Sequence, residues 1–206
     1  VSHELRTPLA VVNGAAEVLQ ADPQLPDRAR PQVDRLARAA RQMTEIIEAL
    51  LGLARERRPG AEPAECDVEA VLREAVEHAQ QTLGGKPIEL NVEVRARPVL
   101  RAERAVLAMA LGNLVRNAVA HTDRGEVRVV LEAEAVEVTD TGPGIAAEDL
   151  DRVFEPHYRG TASTGAGLGL AVVKRICEHF GWTVNLDSEP GRGTRTRLAF
   201  SAKGRS

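Results

Sequence analysis

His3 and Thr7 stand four residues apart in the run Ser2-His3-Glu4-Leu5-Arg6-Thr7-Pro8-Leu9. On a helix that spacing puts both on one face, while Leu5 and Leu9 turn toward an apolar seam. An imidazole becomes a nucleophile toward phosphorus through one ring nitrogen when an acceptor holds the other. Glu4 is an adjacent carboxylate able to do so. Pro8 removes a helix hydrogen bond and bends the helix just there. Taken alone, a histidine near a chain end also fits a plain surface position. Its company is what sets His3 apart.

Four more clusters follow. Asn113-Leu114-Val115-Arg116-Asn117 puts two amides on one helix face. An amide oxygen is a hard ligand suited to Mg²⁺, which keeps several waters and takes substrate phosphates. The same pair could equally bond loop backbone. Asp140-Thr141-Gly142-Pro143-Gly144-Ile145 follows an alternating apolar run. Its glycines let backbone come close to a ligand, and its carboxylate could accept a hydrogen bond from an exocyclic amine. In isolation it reads as a tight turn with a capping aspartate. Gly165-Ala166-Gly167-Leu168-Gly169-Leu170 opens a helix, where free N–H groups and the helix dipole favour phosphate. It lacks the preceding strand of a dinucleotide fingerprint and the Gly-Lys-Ser/Thr of a P-loop. Gly191-Arg192-Gly193-Thr194 reads as a turn entering a strand.

These clusters need elements to hold them. Residues 3 to about 21 read as helix, with Leu5, Leu9, Val12, Ala16 and Leu19 in heptad spacing. Asp22-Pro23-Gln24-Leu25-Pro26-Asp27 breaks it. A second helix, roughly 29 to 56, continues the alternation through Val33, Leu36, Ala40, Met43, Ile47, Leu50 and Ala54. A short loop between two such helices makes an antiparallel hairpin. A lone hairpin cannot bury both seams, so two copies are expected to pair into a four-helix bundle. Taken alone, the heptads fit a hairpin without chemistry. Residues 57–63 read as linker. Beyond it Asp67 caps a helix reaching about Leu83, and Ile88–Val94 alternates as a strand. A helix follows from about Glu103 to His121, then strands around Val127–Leu131 and Val136–Val138. A glycine-rich stretch covers about 141–167, a helix about 168–180, and strands about Val184–Leu186 and Thr194–Phe200. Strands mixed with helices predict a mixed sheet with helices on one face.

Composition narrows the options. The 206 residues suit one large or two small domains. A net charge of -3 and 2% aromatics give no electrostatic or stacking case for nucleic acid. No apolar run nears the ~20 residues that span a bilayer, so no direct membrane contact is expected within this stretch. Cys66 and Cys177 show neither metal-ligand nor redox spacing and read as small buried hydrophobes in a reducing compartment. The chain begins at Val1, inside a helical pattern, and reads as a piece of a longer protein.

In order, these motifs resemble the sensor histidine kinase family over essentially the whole chain. His3 to Leu9 looks like the phosphoacceptor box, Asn113 to Thr122 the N box, and Asp140 to Ile145 the first glycine box. Phe154 to Arg159 looks like the F box, with Gly165 to Leu170 and Gly191 to Thr194 the second and third glycine boxes. The resemblance implies an α+β chain. A dimerising phosphotransfer hairpin (1–58) and a linker (59–65) would precede a Bergerat-type ATP-binding α/β sandwich (66–206). ATP and Mg²⁺ are the implied ligands. A second copy and a response regulator's receiver domain are the implied partners. The implied location is the cytoplasmic portion of an inner-membrane-anchored sensor.

Carried over, His3 would be the phosphoacceptor and Glu4 would orient or deprotonate it. Thr7 would position water when the chain acts as a phosphatase on its partner. Asn117 would hold Mg²⁺ with Asn113 on the phosphate side, and His121 would stack on adenine. Asp140 would bind the adenine amine beside Gly142, Gly144 and Ile145. Residues of about 146–166 would form a mobile lid, from which Arg159 reaches phosphate. Gly165, Gly167, Leu168, Gly169 and Leu170 would line the phosphate loop, and Thr194 would support the adenine end. Two departures stand out. Ala120 replaces the usual basic residue, which leaves a phosphate contact missing or supplied by Arg116 or Arg159. Pro156-His157 replaces the frequent Arg-Phe. Two other functions compete. Related gyrase-, chaperone- and mismatch-repair-type ATPases carry a glutamate base where this chain has Asn113, and an amide takes no proton from water. An inactive dimerising scaffold is the other.

Overall fold

The computed structural model describes residues 2–37, 39–40, 43–44, 64–155 and 169–200, without the side chains of residues 2–7. The second half of the expected second helix, the linker at 57–63 and most of the expected lid fall outside the described residues.

Helix α1 spans Ser2–Ala21, with Pro8 inside it. Turns at 23–29 follow, and helix α2 starts at residue 30, with 30–37, 39–40 and 43–44 helical. Leu9, Ala16, Ala37 and Ala40 are buried. The expected seam is split. Val12, Leu19, Leu36 and Met43 remain 39%, 40%, 46% and 54% exposed, so among the described seam residues one hairpin covers Leu9 and the alanines and leaves these four open. Two polar bridges join the helices, Asn13 Nδ2 to Thr44 Oγ1 at 2.8 Å and Gln20 Nε2 to Asp34 Oδ1 at 2.7 Å. Heptad counting does not register such bridges.

The sheet unit begins at β1 (Glu65–Asp67), one residue ahead of the expected boundary at 66. Asp67 caps α3 (Val68–Gln81) as expected, accepting from Ala70 N at 3.2 Å. Val68, Val71, Leu72, Ala75, Val76 and Ala79 form its buried face, the 3-4 spacing of an amphipathic helix. β2 (Ile88–Val94) and β3 (Val99–Arg101) come next, then α4 (Arg104–His121), β4 (Gly125–Leu131) and β5 (Ala135–Asp140). A 3₁₀ turn, Ala147–Asp149, lies in the glycine-rich stretch, and α5 (Gly169–Phe180), β6 (Thr183–Glu189) and β7 (Gly193–Ala199) close the fold.

Five strands form one sheet in the order β2-β4-β5-β7-β6, parallel between β2 and β4 and antiparallel elsewhere. The mixed sheet with helices on one face is as expected. α4 lies between α3 and α5 and buries Val106, Leu107, Ala110, Leu111, Leu114, Val115, Ala118 and Val119. β1 and β3 were not expected; they pair antiparallel as a separate ribbon, and three residues are too few to show an alternation. The sheet's other face carries a ladder of ion pairs: Arg128–Glu93, Arg95–Glu132, Arg197–Glu132 and Arg195–Glu137. Hydrogen bonds from Arg95 and Arg128 hold the Glu93 carboxyl down at about 2. Such exposed pairs add little stability but keep that face wet. Both cysteines are free and buried, and burial pushes the Cys177 thiol up to about 12. No helix among the described residues is long and apolar enough to cross a membrane.

Candidate nucleotide site

One helix carries three of the candidate residues. Asn113, Asn117 and His121 recur every fourth residue along α4, so they form a stripe roughly 12 Å long at 1.5 Å per residue. Asn113 is 2% exposed and committed at both ends of its amide. Its Nδ2 donates to Met109 O at 2.9 Å, and its Oδ1 accepts from Arg116 Nη2 at 2.8 Å. Asn117 is half-buried, and its amide makes no hydrogen bond among the described residues. Gly169, the first residue of α5, packs against both amides. A Cβ there would lie 2.9 Å from Asn113 Oδ1 and 3.3 Å from Asn117 Oδ1. The amide pair therefore faces the free N–H groups of a helix start, where anionic oxygen is favoured. Leu170 is half-buried against the core.

Asp140 ends β5 and is 7% exposed. Register places it opposite Thr194 of β7. Its Oδ1 accepts from Gly142 N at 2.9 Å and Thr194 N at 3.2 Å, and Oδ2 makes no hydrogen bond among the described residues. Burial raises the carboxyl's pKa above the ordinary aspartate value, against the lowering pull of those two N–H groups and of nearby His121. A half-satisfied, buried carboxylate of this kind is primed to accept one more donor.

The turn after Asp140 is locked by close approaches that require glycine. Gly144 adopts φ +72, and a Cβ would fall 2.0 Å from Glu189 O. Gly193 adopts φ +92, with a Cβ 1.9 Å from Asp140 O. Gly142 rests against the end of α4, where a Cβ would meet His121 O at 2.6 Å. The β6–β7 turn completes the clasp, Gly191 N donating to Pro143 O at 2.7 Å. At its centre stands Ser188, which the sequence reading missed. Its Oγ accepts from Ile145 N at 2.9 Å, donates to Gly193 O at 2.8 Å, and lies 3.0 Å from Thr194 Oγ1. The available signal was its place on the last strand before Gly191, but a lone serine in an alternating run has no distinguishing pattern.

The structure thus brings Asn113, Asn117, His121, Asp140, Gly142, Gly144, Ile145, Gly169 and Thr194 together along α4, between the start of α5 and the end of β5. Asn117 and Gly169 mark one end, His121 and Asp140 the other. Arg159, Gly165, Gly167 and Leu168 lie outside the described residues. His3, Glu4 and Thr7 fall in the first two turns of α1, and their side chains are outside the description. Arg116, considered for the phosphate contact that Ala120 lacks, is exposed and turned to Asn113.

A helical hairpin followed by a mixed sheet with helices on one face, glycine turns clasping a buried aspartate, defines a Bergerat-type sandwich joined to a phosphoacceptor-type hairpin. The His Kinase A (phospho-acceptor) domain model matches residues 1–59, and the model of the histidine kinase-, DNA gyrase B- and HSP90-like ATPases matches 102–204. Sensor-like histidine kinase SenX3 of Mycobacterium tuberculosis (strain ATCC 25618 / H37Rv) is 32% identical over 98% of this chain and 52% of its own length. Sensor protein QseC of Salmonella typhi is 34% identical over 89% and 42%. The crystal structure of full-length ShkA in complex with AMPPNP superposes with a TM-score of 0.66 at 31% identity, over 98% of this chain and 45% of that one. With these relatives and that ATPase model, which spans half of its length, the chain belongs to the sensor histidine kinases. It spans about half the length of the curated relatives it matches.

Proposed function

We propose that this chain is the catalytic portion of an ATP-dependent protein histidine kinase. It phosphorylates its own His3 and passes the phosphoryl group to an aspartate on a response regulator's receiver domain, whose dephosphorylation it also assists. The observation that carries this reading is one chain in which a helix bearing His3 precedes a site with Asp140 at one end and Asn117 at the other. Residues 1–58 act as the dimerising hairpin, 59–64 as the connection and 65–206, from the start of β1, as the nucleotide domain. Two copies form the working unit, and the chain belongs to a membrane-anchored sensor.

The Asp140 carboxylate accepts the adenine amine on Oδ2, because Oδ1 already serves two backbone donors. His121 stacks on the base, and the backbone of Gly142, Gly144 and Ile145 lines the pocket, with Thr194 behind Asp140. The phosphates run toward the start of α5, where Gly165, Gly167, Leu168, Gly169 and Leu170 supply the loop and Arg159 a cation. Asn117 fits a Mg²⁺ ligand: its amide is uncommitted among the described residues and adjoins Gly169, and a hard ion with phosphate and water ligands suits one amide oxygen. Mg²⁺ when bound neutralises charge on the phosphates. The imidazole of His3 attacks the γ-phosphorus, a P–N bond forms, the bond to the ADP oxygen breaks, and Glu4 takes the imidazole proton. Thr7 then aligns water against the partner's aspartyl phosphate.

Hydrolysis as the main activity is disfavoured by Asn113, an amide bonded at both ends to Met109 O and Arg116 and unable to act as a base. Incubation with γ-labelled ATP tests the reading. Label in the protein supports a kinase. Free phosphate without labelled protein indicates an ATPase, and neither indicates a scaffold; both contradict the proposal.

A further inference from the structure

Lys86 sits on the short segment between α3 and β2, just after Gly84 and Gly85, whose φ values are +58 and +83. Its ammonium reaches across to the far end of α4. Nζ donates to Thr122 O at 2.9 Å, Ala120 O at 3.2 Å and Val119 O at 3.4 Å, and lies 3.4 Å from Asp123 Oδ1. The last carbonyls of a helix have no partners within it and carry the negative end of its dipole. Here no glycine closes the helix. Thr122 at the cap is extended, with φ -102 and ψ 125, so the chain leaves α4 abruptly and its end needs an outside donor. Lys86 is that donor.

The grip spans His121. The carbonyls on both sides of it, Ala120 O and Thr122 O, are held by the same ammonium. His121 O in turn meets Gly142 so closely that a Cβ would come within 2.6 Å. Gly142 N donates to Asp140 Oδ1. A chain of direct contacts therefore runs from Lys86 to the end of α4, to the glycine turn and to the carboxylate. Among the described residues, the Lys86 ammonium contacts those carbonyls and Asp123.

We propose that Lys86 is a positioning residue for the purine base: it fixes the end of α4 so that His121 and the Gly142 turn hold the shape the base requires. This rests on the nucleotide reading above and adds a determinant of base affinity and selectivity outside the cleft. It acts through His121 and the Gly142 turn, because the groups it holds all lie beyond Asn117, from Val119 to Thr122, on the side of α4 away from Gly169.

The test uses the 206-residue chain as wild type, Lys86→Met, Lys86→Gln, Lys86→Arg and a control, Arg73→Met, which breaks the part-buried Arg73–Glu69 pair on α3, away from α4's end. Dissociation constants for ATP and GTP are measured by equilibrium titration, and labelling rate at saturating ATP, at a temperature where circular dichroism shows every variant folded. Lys86→Met is expected to weaken ATP by about five- to tenfold, as suits loss of a charged helix cap. Its ATP-over-GTP preference should fall in parallel, and its rate at saturating ATP should stay within about twofold. Lys86→Gln, still able to reach one carbonyl, should fall between, and Lys86→Arg should bind like wild type. Arg73→Met should change neither affinity nor preference. Wild-type ATP affinity in Lys86→Met overturns the proposal, as does an equal loss for ATP and GTP, or an arginine variant as weak as methionine. A wild type that binds no ATP would sink the nucleotide reading itself, and is distinguishable because the variants then have nothing to lose.

Discussion

The hairpin and the sheet unit bury their apolar residues in opposite ways. In the described hairpin the buried side chains are Leu9 and three alanines, 16, 37 and 40. In the sheet unit Leu72, Leu107, Leu111, Leu131, Ile176 and Leu198 are all below 2% exposure, sealed with Trp182 and Phe200. Conversely, Val11, Val12, Val18, Leu19, Leu36 and Met43 stand open on the hairpin, and Val99 alone among large apolar residues described in the sheet unit. The sheet unit thus completes its own core within one chain. The hairpin leaves an apolar surface that a second copy would cover. It follows that binding nucleotide and pairing copies are separable properties, and each can be broken without the other.

The largest expected effect is on the sheet side. Asn117→Ala removes the amide that adjoins Gly169, and labelling should slow by about two orders of magnitude or more. Sedimentation should report an unchanged assembly; an unchanged rate and Mg²⁺ dependence would remove the ligand role. Gly193→Ala comes next. At φ +92 and with Asp140 O in the way, it should cost on the order of 3 kcal/mol. Denaturant unfolding of the sheet unit should show this, with nucleotide binding weakened alongside.

Asp140→Asn sharpens the comparison within the sheet unit. Burial raises the Asp140 pKa, so the folded state prefers the neutral form. That contribution to stability is fully present below the unfolded pKa and is lost as pH rises through the folded one, leaving the charge a cost at neutral pH. Asparagine can keep both backbone bonds to Oδ1 without the charge. It should therefore raise Tm at pH 7, with a gain that shrinks as the pH is lowered toward the carboxyl range, while ATP affinity falls about tenfold or more. Lower stability together with unchanged affinity would contradict both halves of the argument.

The smallest effect belongs to the hairpin. Val12→Ser and Leu19→Ser remove side chains that are only 39% and 40% exposed in one chain. Each should weaken self-association by about 1 kcal/mol per protomer, since only the open part of each side chain is left for a partner to cover. The melting of the sheet unit and its ATP affinity should not move. Loss of ATP affinity in these variants would break the separation.

Where chemistry was written into adjacent residues, the sequence was legible. The Asp140–Ile145 turn, the Asn113–Asn117 pair and the Asp67 cap all depend on neighbours within a few positions, and each appears where spacing puts it. The sheet's layout followed from runs of alternating apolar residues. What could not be read depends on contacts between distant segments. Ser188 joins Ile145 to Gly193, Lys86 caps a helix that ends 35 residues later, and Asn13 finds Thr44 across the hairpin. None of these leaves a periodic trace. The β1–β3 ribbon failed for lack of length. The split of the hairpin seam failed for another reason: a heptad shows which residues are apolar, but not which of them one chain can cover.

In the proposed reaction His3 receives the γ-phosphoryl group from ATP held in the sheet unit. The direct measurement is labelling with γ-labelled ATP of the wild type and of His3→Ala, with ATP binding by each measured in parallel and the label challenged with acid and with base. The wild type should carry label that is lost in acid and survives base, as a P–N bond requires, and His3→Ala should carry none despite unchanged ATP affinity. Label that persists on His3→Ala, or that survives acid, would contradict it.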